Sequence, residues 1–253
     1  MTLGKISVGA FSVADASRDE VVEAITALGE RSGPGLAFAL HVGGLNHSGD
    51  ADFVAAMAQA DVVYADGGAV TTLARLAGAR SIERAPTTDI GWDVLRRLSQ
   101  RLGRPSRIAL IGGPQGLAER AGAALEKGDA GLVVATEHGF HQDWTLPLTR
   151  VRGAHPDVLI VGLGAPREMI WAMTHRDQLP AVPVLTCGGW FGFLSGEELR
   201  APQVLRKPGL EWIARVAQSP RRLGPRYAVG CLVTASLVPQ AFRHRRRAKA
   251  ACE

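Results

Sequence analysis

DVLIVGLGAPREMIW, from Asp157 to Trp171, carries the strongest fold signal in this chain. Val158 to Gly162 form an apolar run too short for a lone buried helix, and they read as a central strand covered on both faces. Gly162 and Gly164 let the backbone turn sharply at the strand's carboxyl end, and Pro166 suits the first turn of a following helix. Arg167 to Gln178 continues helically, with Met169, Trp171 and Met173 among its bulkier residues. Strand, glycine turn and helix N-terminus together make an anion cradle, because the first amides of a helix have no partner within it. The plainer alternative is an ordinary tight turn. The dinucleotide fingerprint GxGxxG is not met, since its third glycine falls on Arg167.

Outward from this unit the same alternation recurs. Ser17 and Glu20 form a capping box for a helix through about Leu28. Leu36 to Val42 reads as a strand closed by Gly43 and Gly44, Ala51 to Ala60 as a helix, and Asp61 to Ala65 as a short strand. Asp66-Gly67-Gly68 turns into a helix over Ala69 to Ala77, and Thr88 or Asp89 can cap another running to Leu102. Arg107 to Ile111 ends in Gly112-Gly113-Pro114 before a helix to Lys127. Leu132 to Thr136, Val158 to Val161 and Val182 to Cys187 bring the strands to about six. Strands alternating with helices of this length imply right-handed crossovers and an α/β, Rossmann-like fold, a mostly parallel sheet flanked by helices. Such sheets bind ligands beyond the carboxyl ends of their strands. That rim carries Asp66, Gly112-Gly113, His138-Gly139-Phe140, the Gly162–Pro166 loop and Gly188-Gly189.

At 253 residues and 46% apolar content the chain can hold one large core plus an appendage. After Pro202 the texture changes: Gln203 to Gln218 reads as a helix, Pro220 to Tyr227 as a basic, proline-flanked hinge, and an apolar segment precedes Arg243 to Arg247. Residues 1–218 are therefore expected to form the α/β core and residues 219–253 a basic helical appendage. The net charge of +5 is local, since residues 219–253 hold many Lys and Arg against the single acid Glu253. Three widely spaced cysteines without a CxxC suit a reducing cytoplasm and argue against structural zinc. The N-terminus lacks a signal-peptide pattern. No uncharged apolar run reaches the roughly 20 residues of a spanning helix, the nearest being Tyr227 to Phe242, broken by Pro239.

The stretches ADGGAV (65–70), ERAPTTD (83–89), IALIGG (108–113), VGLGAPRE (161–168), RAP (200–202), GLEW (209–212) and SPRRLGPRY (219–227) follow one another in this order. In this the chain resembles the WecG/TagA/CpsF family of bacterial glycosyltransferases from about Leu36 to Tyr227, most specifically from Val161 onward. The resemblance implies transfer of a sugar, typically N-acetylmannosamine from its UDP donor, to a polyprenyl-diphosphate-linked amino sugar at the cytoplasmic membrane face. It further implies inversion at the anomeric centre, a Rossmann-like core and a membrane-associating C-terminal appendage.

Inverting transfer needs a base for the acceptor hydroxyl and a holder for the leaving diphosphate. Asp66, at a strand end before two glycines, has the position for the base, as the family's DG motif implies; an Asx turn is its structural alternative. Gly112, Gly113, Gly162 and Gly164 would admit donor phosphates close to backbone amides. Gly67, Gly139, Phe140, Pro166, Glu168 and Gly188 complete the expected donor set. Arg84 and Thr88 are expected at the acceptor, together with Arg200, Arg221, Arg222 and Arg226. Arg84 has a surface ion pair with Glu83 or Asp89 as its alternative, and Thr88 a capping role. No metal or other cofactor is expected. Asp50-Ala51-Asp52 spells a metal-binding DxD, yet Asp50 reads better as a helix N-cap. His138 and His141 lack a third ligand. Trp171, Trp190 and Trp212 read as core or interface anchors.

The chain also departs from the family. The usual Thr-x-Asn reads Phe38-Ala39-Leu40-His41, with His41 or Asn46 as candidate substitutes. A neutral amide becomes Glu168, an acid becomes Gly192, and a glycine becomes Thr87. These changes leave the reaction class standing and leave the donor sugar and nucleotide open. Glu168 is expected to contact the donor sugar, or else to pair with Arg167 or Arg200. The tail suits a helix lying in the headgroups of an anionic leaflet, which makes the chain a peripheral protein of the inner membrane face. Its alternative is a solvated basic tail, and homo-oligomer formation is left open. A non-catalytic nucleotide- or nucleic-acid-binding module is the competing class, but without interleaved aromatics the tail makes no stacking platform, so nucleic acid is not expected as a partner. A methyltransferase using VGLGAP lacks the spaced acid it would need.

Overall fold

The structure is a computed structural model and describes residues 3–199 and 211–250. It opens with an antiparallel hairpin that the sequence pattern does not mark, β1 (Lys5–Val8) and β2 (Phe11–Ala14). Helix α1 (Arg18–Ala27) starts at the expected capping box, with Ser17 accepting from the Glu20 amide and Glu20 accepting from the Ser17 amide. Six strands then form one all-parallel sheet: β3 (Gly35–Leu40), β4 (Val62–Ala65), β5 (Arg107–Gly112), β6 (Leu132–Glu137), β7 (Val158–Gly162) and β8 (Pro183–Thr186). Their order is β4-β3-β8-β7-β5-β6, so the strand of the VGLGAP stretch lies inside the sheet, as read.

Both faces of the sheet are covered. Ala37, Ala39, Tyr64, Leu110 and Ile160 face α1, α5 (Thr87–Leu102) and α6 (Leu117–Lys127). Leu36, Phe38, Leu40, Val63 and Val161 face α3 (Ala51–Ala58), α4 (Gly68–Ala77), α7 (Thr145–Gly153) and α8 (Arg167–Thr174). Alternation along each strand thus feeds two cores rather than one core and solvent. Several local expectations shift. Gly43 and Gly44 lie in a short helix, α2 (Val42–Leu45), capped by His41. Pro86 precedes α5 at the N-cap, so Thr88 and Asp89 sit in its first turn rather than capping it. Helix α8 ends at Thr174 and a 3-10 turn, Arg176–Gln178, follows. A further short helix, α9 (Trp190–Leu194), follows β8.

After the gap in the description come α10 (Glu211–Gln218) and α11 (Pro220–Ala250). The expected hinge at 220–227 is not one: α11 is continuous, with Pro225 and Pro239 inside it. Nor is the segment a solvated tail. It packs on α2, α4 and β1, with Leu223 and Ala241 buried and Leu237 over Gly9. Among the described residues no helix is long and apolar enough to cross a membrane.

Candidate active site

A cavity of about 870 Å³ opens beyond the carboxyl ends of β3, β4, β7 and β8, with α11 closing its far side. Its position follows from the parallel sheet, whose strand ends all point to one rim.

Asp66 follows β4 directly, where its amide donates to the Leu40 carbonyl at 3.0 Å. The Thr87 amide and hydroxyl donate to Asp66 Oδ2 at 3.3 and 3.2 Å, and the Thr87 hydroxyl meets the Tyr64 hydroxyl at 2.7 Å. Tyr64 is fully buried, and burial, reinforced by the Asp66 charge, pushes its pKa well up and keeps it neutral. Thr87, where the resemblance leads to glycine, therefore orients the candidate base. Gly67, Gly68 and Ala69 carry the N-terminus of α4 to the cavity wall, and Arg84 and Thr88 line it beside them.

On the opposite side Glu168 is only 1% exposed. Its Oε2 accepts from the amides of Leu163, Gly164 and Gly188 at 3.2, 3.0 and 3.1 Å, whereas its Oε1 is buried without a partner. Burial raises its pKa to about 7 against the pull of those amides, and the Asp66 charge adds to the rise. The anion cradle read into the VGLGAP loop is thus present, but the chain's own carboxyl group fills it. Gly164 and Gly188 line the cavity with their amides already committed to Glu168. The Gly113 amide is likewise committed, to the Gly162 carbonyl at 3.2 Å, and the Gly139 amide to the Gly113 carbonyl at 2.7 Å.

Not every expected residue reaches this space. Gly112, Gly113, Gly139, Phe140 and Pro166 lie outside the cavity lining. Phe140 is exposed with the Arg167 guanidinium 5.2 Å above its ring, and Arg167 also donates to the Gly139 carbonyl. Arg167 is therefore engaged away from Glu168. Among the tail arginines Arg226 lines the cavity, whereas Arg221 is exposed and does not. Arg200 and the Arg222 side chain lie outside the described residues. The guanidinium of Arg226 occupies the space above Gly43, 3.5 Å from His41 Nδ1, and the Arg226 carbonyl accepts from Asn46 Nδ2 at 2.9 Å. Of the two candidate substitutes, His41 lines the cavity and Asn46 anchors the helix backbone instead.

The remaining signals resolve simply. Asp50 caps α3, accepting from the Phe53 amide at 3.1 Å. His138 stacks on His141, and His141 bonds Glu137 at 3.0 Å, but that carboxylate is also held by Arg150 at 2.7 Å. Trp171 and Trp190 are core, as read, whereas Trp212 is 39% exposed, packs on Tyr227 and lines the cavity. Glu198 escapes sequence reasoning altogether. Its chain covers Gly192, 3.2 Å from where a β-carbon would stand, and Glu198 itself lines the cavity.

Comparison with known proteins agrees with this arrangement. The profile described as "Glycosyl transferase WecG/TagA/CpsF family" matches residues 6–249. Two curated relatives, from Staphylococcus aureus strains MW2 and NCTC 8325, are each named N-acetylglucosaminyldiphosphoundecaprenol N-acetyl-beta-D-mannosaminyltransferase. Each is 31% identical over 120 residues, 47% of this chain and 47% of the relative. The chain therefore matches these relatives over about half their length. With the parallel sheet, the ordered motifs and a profile match over nearly the whole sequence, this chain belongs to the WecG/TagA/CpsF family of glycosyltransferases.

Proposed function

We propose that the chain is an inverting transferase that moves a hexose from a nucleoside diphosphate to a sugar carried on polyprenyl diphosphate. The observation that carries this reading is the Thr87-oriented carboxylate of Asp66 sharing one cavity with Arg84, Arg226 and the N-terminus of α4. Asp66 takes the proton of the acceptor hydroxyl as that oxygen forms its bond to the anomeric carbon. The bond from that carbon to the diphosphate breaks on the opposite face, and the nucleoside diphosphate leaves with the electron pair. The first amides of α4 stabilise the charge that gathers on the leaving group, while Arg84 and Arg226 meet the acceptor.

The relatives' names speak of N-acetylmannosaminyl transfer to N-acetylglucosaminyldiphosphoundecaprenol, and this cavity suits such reactants, with UDP-N-acetylmannosamine or a related hexose donor. Glu168, neutral when protonated, offers Oε1 to a sugar hydroxyl. A lipid-linked acceptor supports a reaction at the membrane, in our reading at its inner face, where the exposed apolar residues of α11 and its terminal arginines would rest.

Asp66→Asn tests the chemistry. It keeps the shape and removes the proton acceptor, so turnover of a nucleotide-sugar and polyprenyl-diphosphate-sugar pair should fall on the order of a hundredfold. Donor affinity by calorimetry should hardly move. Near-normal turnover in the variant would remove Asp66 from the mechanism.

A further inference from the structure

Helix α11 forms one whole side of the cavity. From Leu223 to Ala235 its wall is built by α11 residues three or four apart, a single stripe about 18 Å long at 1.5 Å per residue. Polarity runs out along that stripe. Arg226, beside His41, and Tyr227 supply its polar groups, and beyond them come Gly230, Cys231, Thr234 and Ala235, none of them charged. The Thr234 hydroxyl donates to the Gly230 carbonyl at 2.7 Å, which turns that group back to the helix and leaves the methyl as its outward surface. Val42 and Ala69 help to form the wall of the same cavity. A nucleotide or sugar against these walls would leave its hydroxyls unpaired, at a cost of roughly 1–3 kcal/mol each.

The outer margin of the stripe leads somewhere. Cys231 and Ala235 are exposed, and at helical spacing Ala235 neighbours the exposed Leu232 and Pro239, with Phe242 one step further. An apolar path therefore joins the charged end of the cavity to the exposed apolar side of α11. The cavity is also one that lacks a partner for a buried group, since Glu168 Oε1 in its wall has none.

We infer that the stretch of cavity between Arg226 and Ala235 is a groove for the first isoprene units of the acceptor, an assignment that rests on the polyprenyl diphosphate reading above. The diphosphate is held at Arg226, and the lipid leaves over Cys231 and Ala235 toward the bilayer without its first units crossing water. The chemistry required of the ligand is an anionic head joined directly to a long apolar chain, which a free nucleotide sugar does not have.

Two measurements on the full chain test this. The first compares acceptors with the same sugar-diphosphate head and either a long prenyl chain or a butyl group. Ala235→Trp should lower the ratio of kcat/KM, prenyl over butyl, about tenfold, because the indole fills the groove and not the head site. An unchanged ratio overturns the groove and leaves the transferase reading intact, since the butyl acceptor still reports turnover. The second needs no turnover: maleimide labelling of Cys231, followed by peptide mass spectrometry, should be slowed by farnesyl diphosphate and not by inorganic diphosphate. Equal labelling rates with the two probes overturn the groove even if no acceptor is used. Protection of Cys231 without any sugar transfer would instead keep the lipid groove and sink the transferase reading.

Discussion

The two oxygens of the Glu168 carboxyl group have different surroundings. One oxygen ties the Leu163–Gly164 loop to Gly188, and the other lies in the cavity wall without a partner. Its pKa in the folded protein, about 7, stands above its ordinary 4.5 because it is buried. A raised carboxyl pKa means that the folded chain holds a proton that the unfolded chain has lost across that interval, so stability falls as pH climbs from about 4.5 to about 7. The full loss is on the order of 3 kcal/mol, complete above that range. Glu168→Gln has no such loss. The Tm of the variant minus that of the native protein should therefore rise by several degrees between pH 5 and pH 8. A difference that stays constant with pH would show that Glu168 is already ionised in the fold. The same substitution addresses the ligand: it should weaken binding of the sugar nucleotide and leave bare nucleoside diphosphate nearly unaffected. Equal weakening of both would place Glu168 at the phosphates.

At the scale of elements, α11 is where charge, apolar surface and site meet. Its inner side is packed against α2, α4 and β1, with Gly230 against Val42, Leu237 over Gly9 and Leu223 buried, while Val229, Leu232 and Phe242 on its outer side are 47%, 73% and 44% exposed. Removing residues 220–253 would take Arg226 from the cavity and uncover apolar core along with any membrane contact. Changing the outer side alone separates these effects. Val229→Glu with Leu232→Glu should abolish flotation with anionic liposomes at unchanged Tm, because neither side chain is part of the core and both would carry charge into the headgroup boundary. Flotation equal to that of the native chain would move the membrane contact elsewhere, with exposed Trp212 and Ile213 of α10 the next surface to change.

Across the whole molecule the charge is divided. The net +5 comes from the C-terminal segment, and the body without it is slightly acidic. A chain so divided should approach an anionic surface in one orientation, with α11 leading and the cavity mouth beside it. Because this attraction is screened over about 8 Å at physiological salt, binding to vesicles with anionic lipid should weaken steeply on raising salt to about 0.5 M. Binding to neutral vesicles should be weak at any salt. Salt-independent binding to both kinds would assign the contact to apolar insertion alone.

The six strands, their parallel direction and the rim they point to were legible in the sequence, though not their order in the sheet, because a strand buried on both faces must be an apolar run ending where glycine lets the chain turn. Asp66 was legible for the same reason, being polar at such an end. The β1–β2 hairpin was not, since its strands, KISV and FSVA, are no uninterrupted apolar runs like β4 and β8 of the same length. What only the tertiary structure decided is who occupies each polar group. Whether the amides of Gly164 and Gly188 are open to phosphate depends on Glu168 folding back from the next helix. The aim of Asp66 depends on Thr87, 21 positions away, and the space over Gly192 is taken by Glu198. Likewise a basic, proline-containing tail becomes a wall of the site only once α2 and α4 present a surface to it. Periodicity along a chain reports burial and direction, which are local to an element. Hydrogen-bond satisfaction is a property of atoms brought together from distant positions, and it comes into being only with the packed fold.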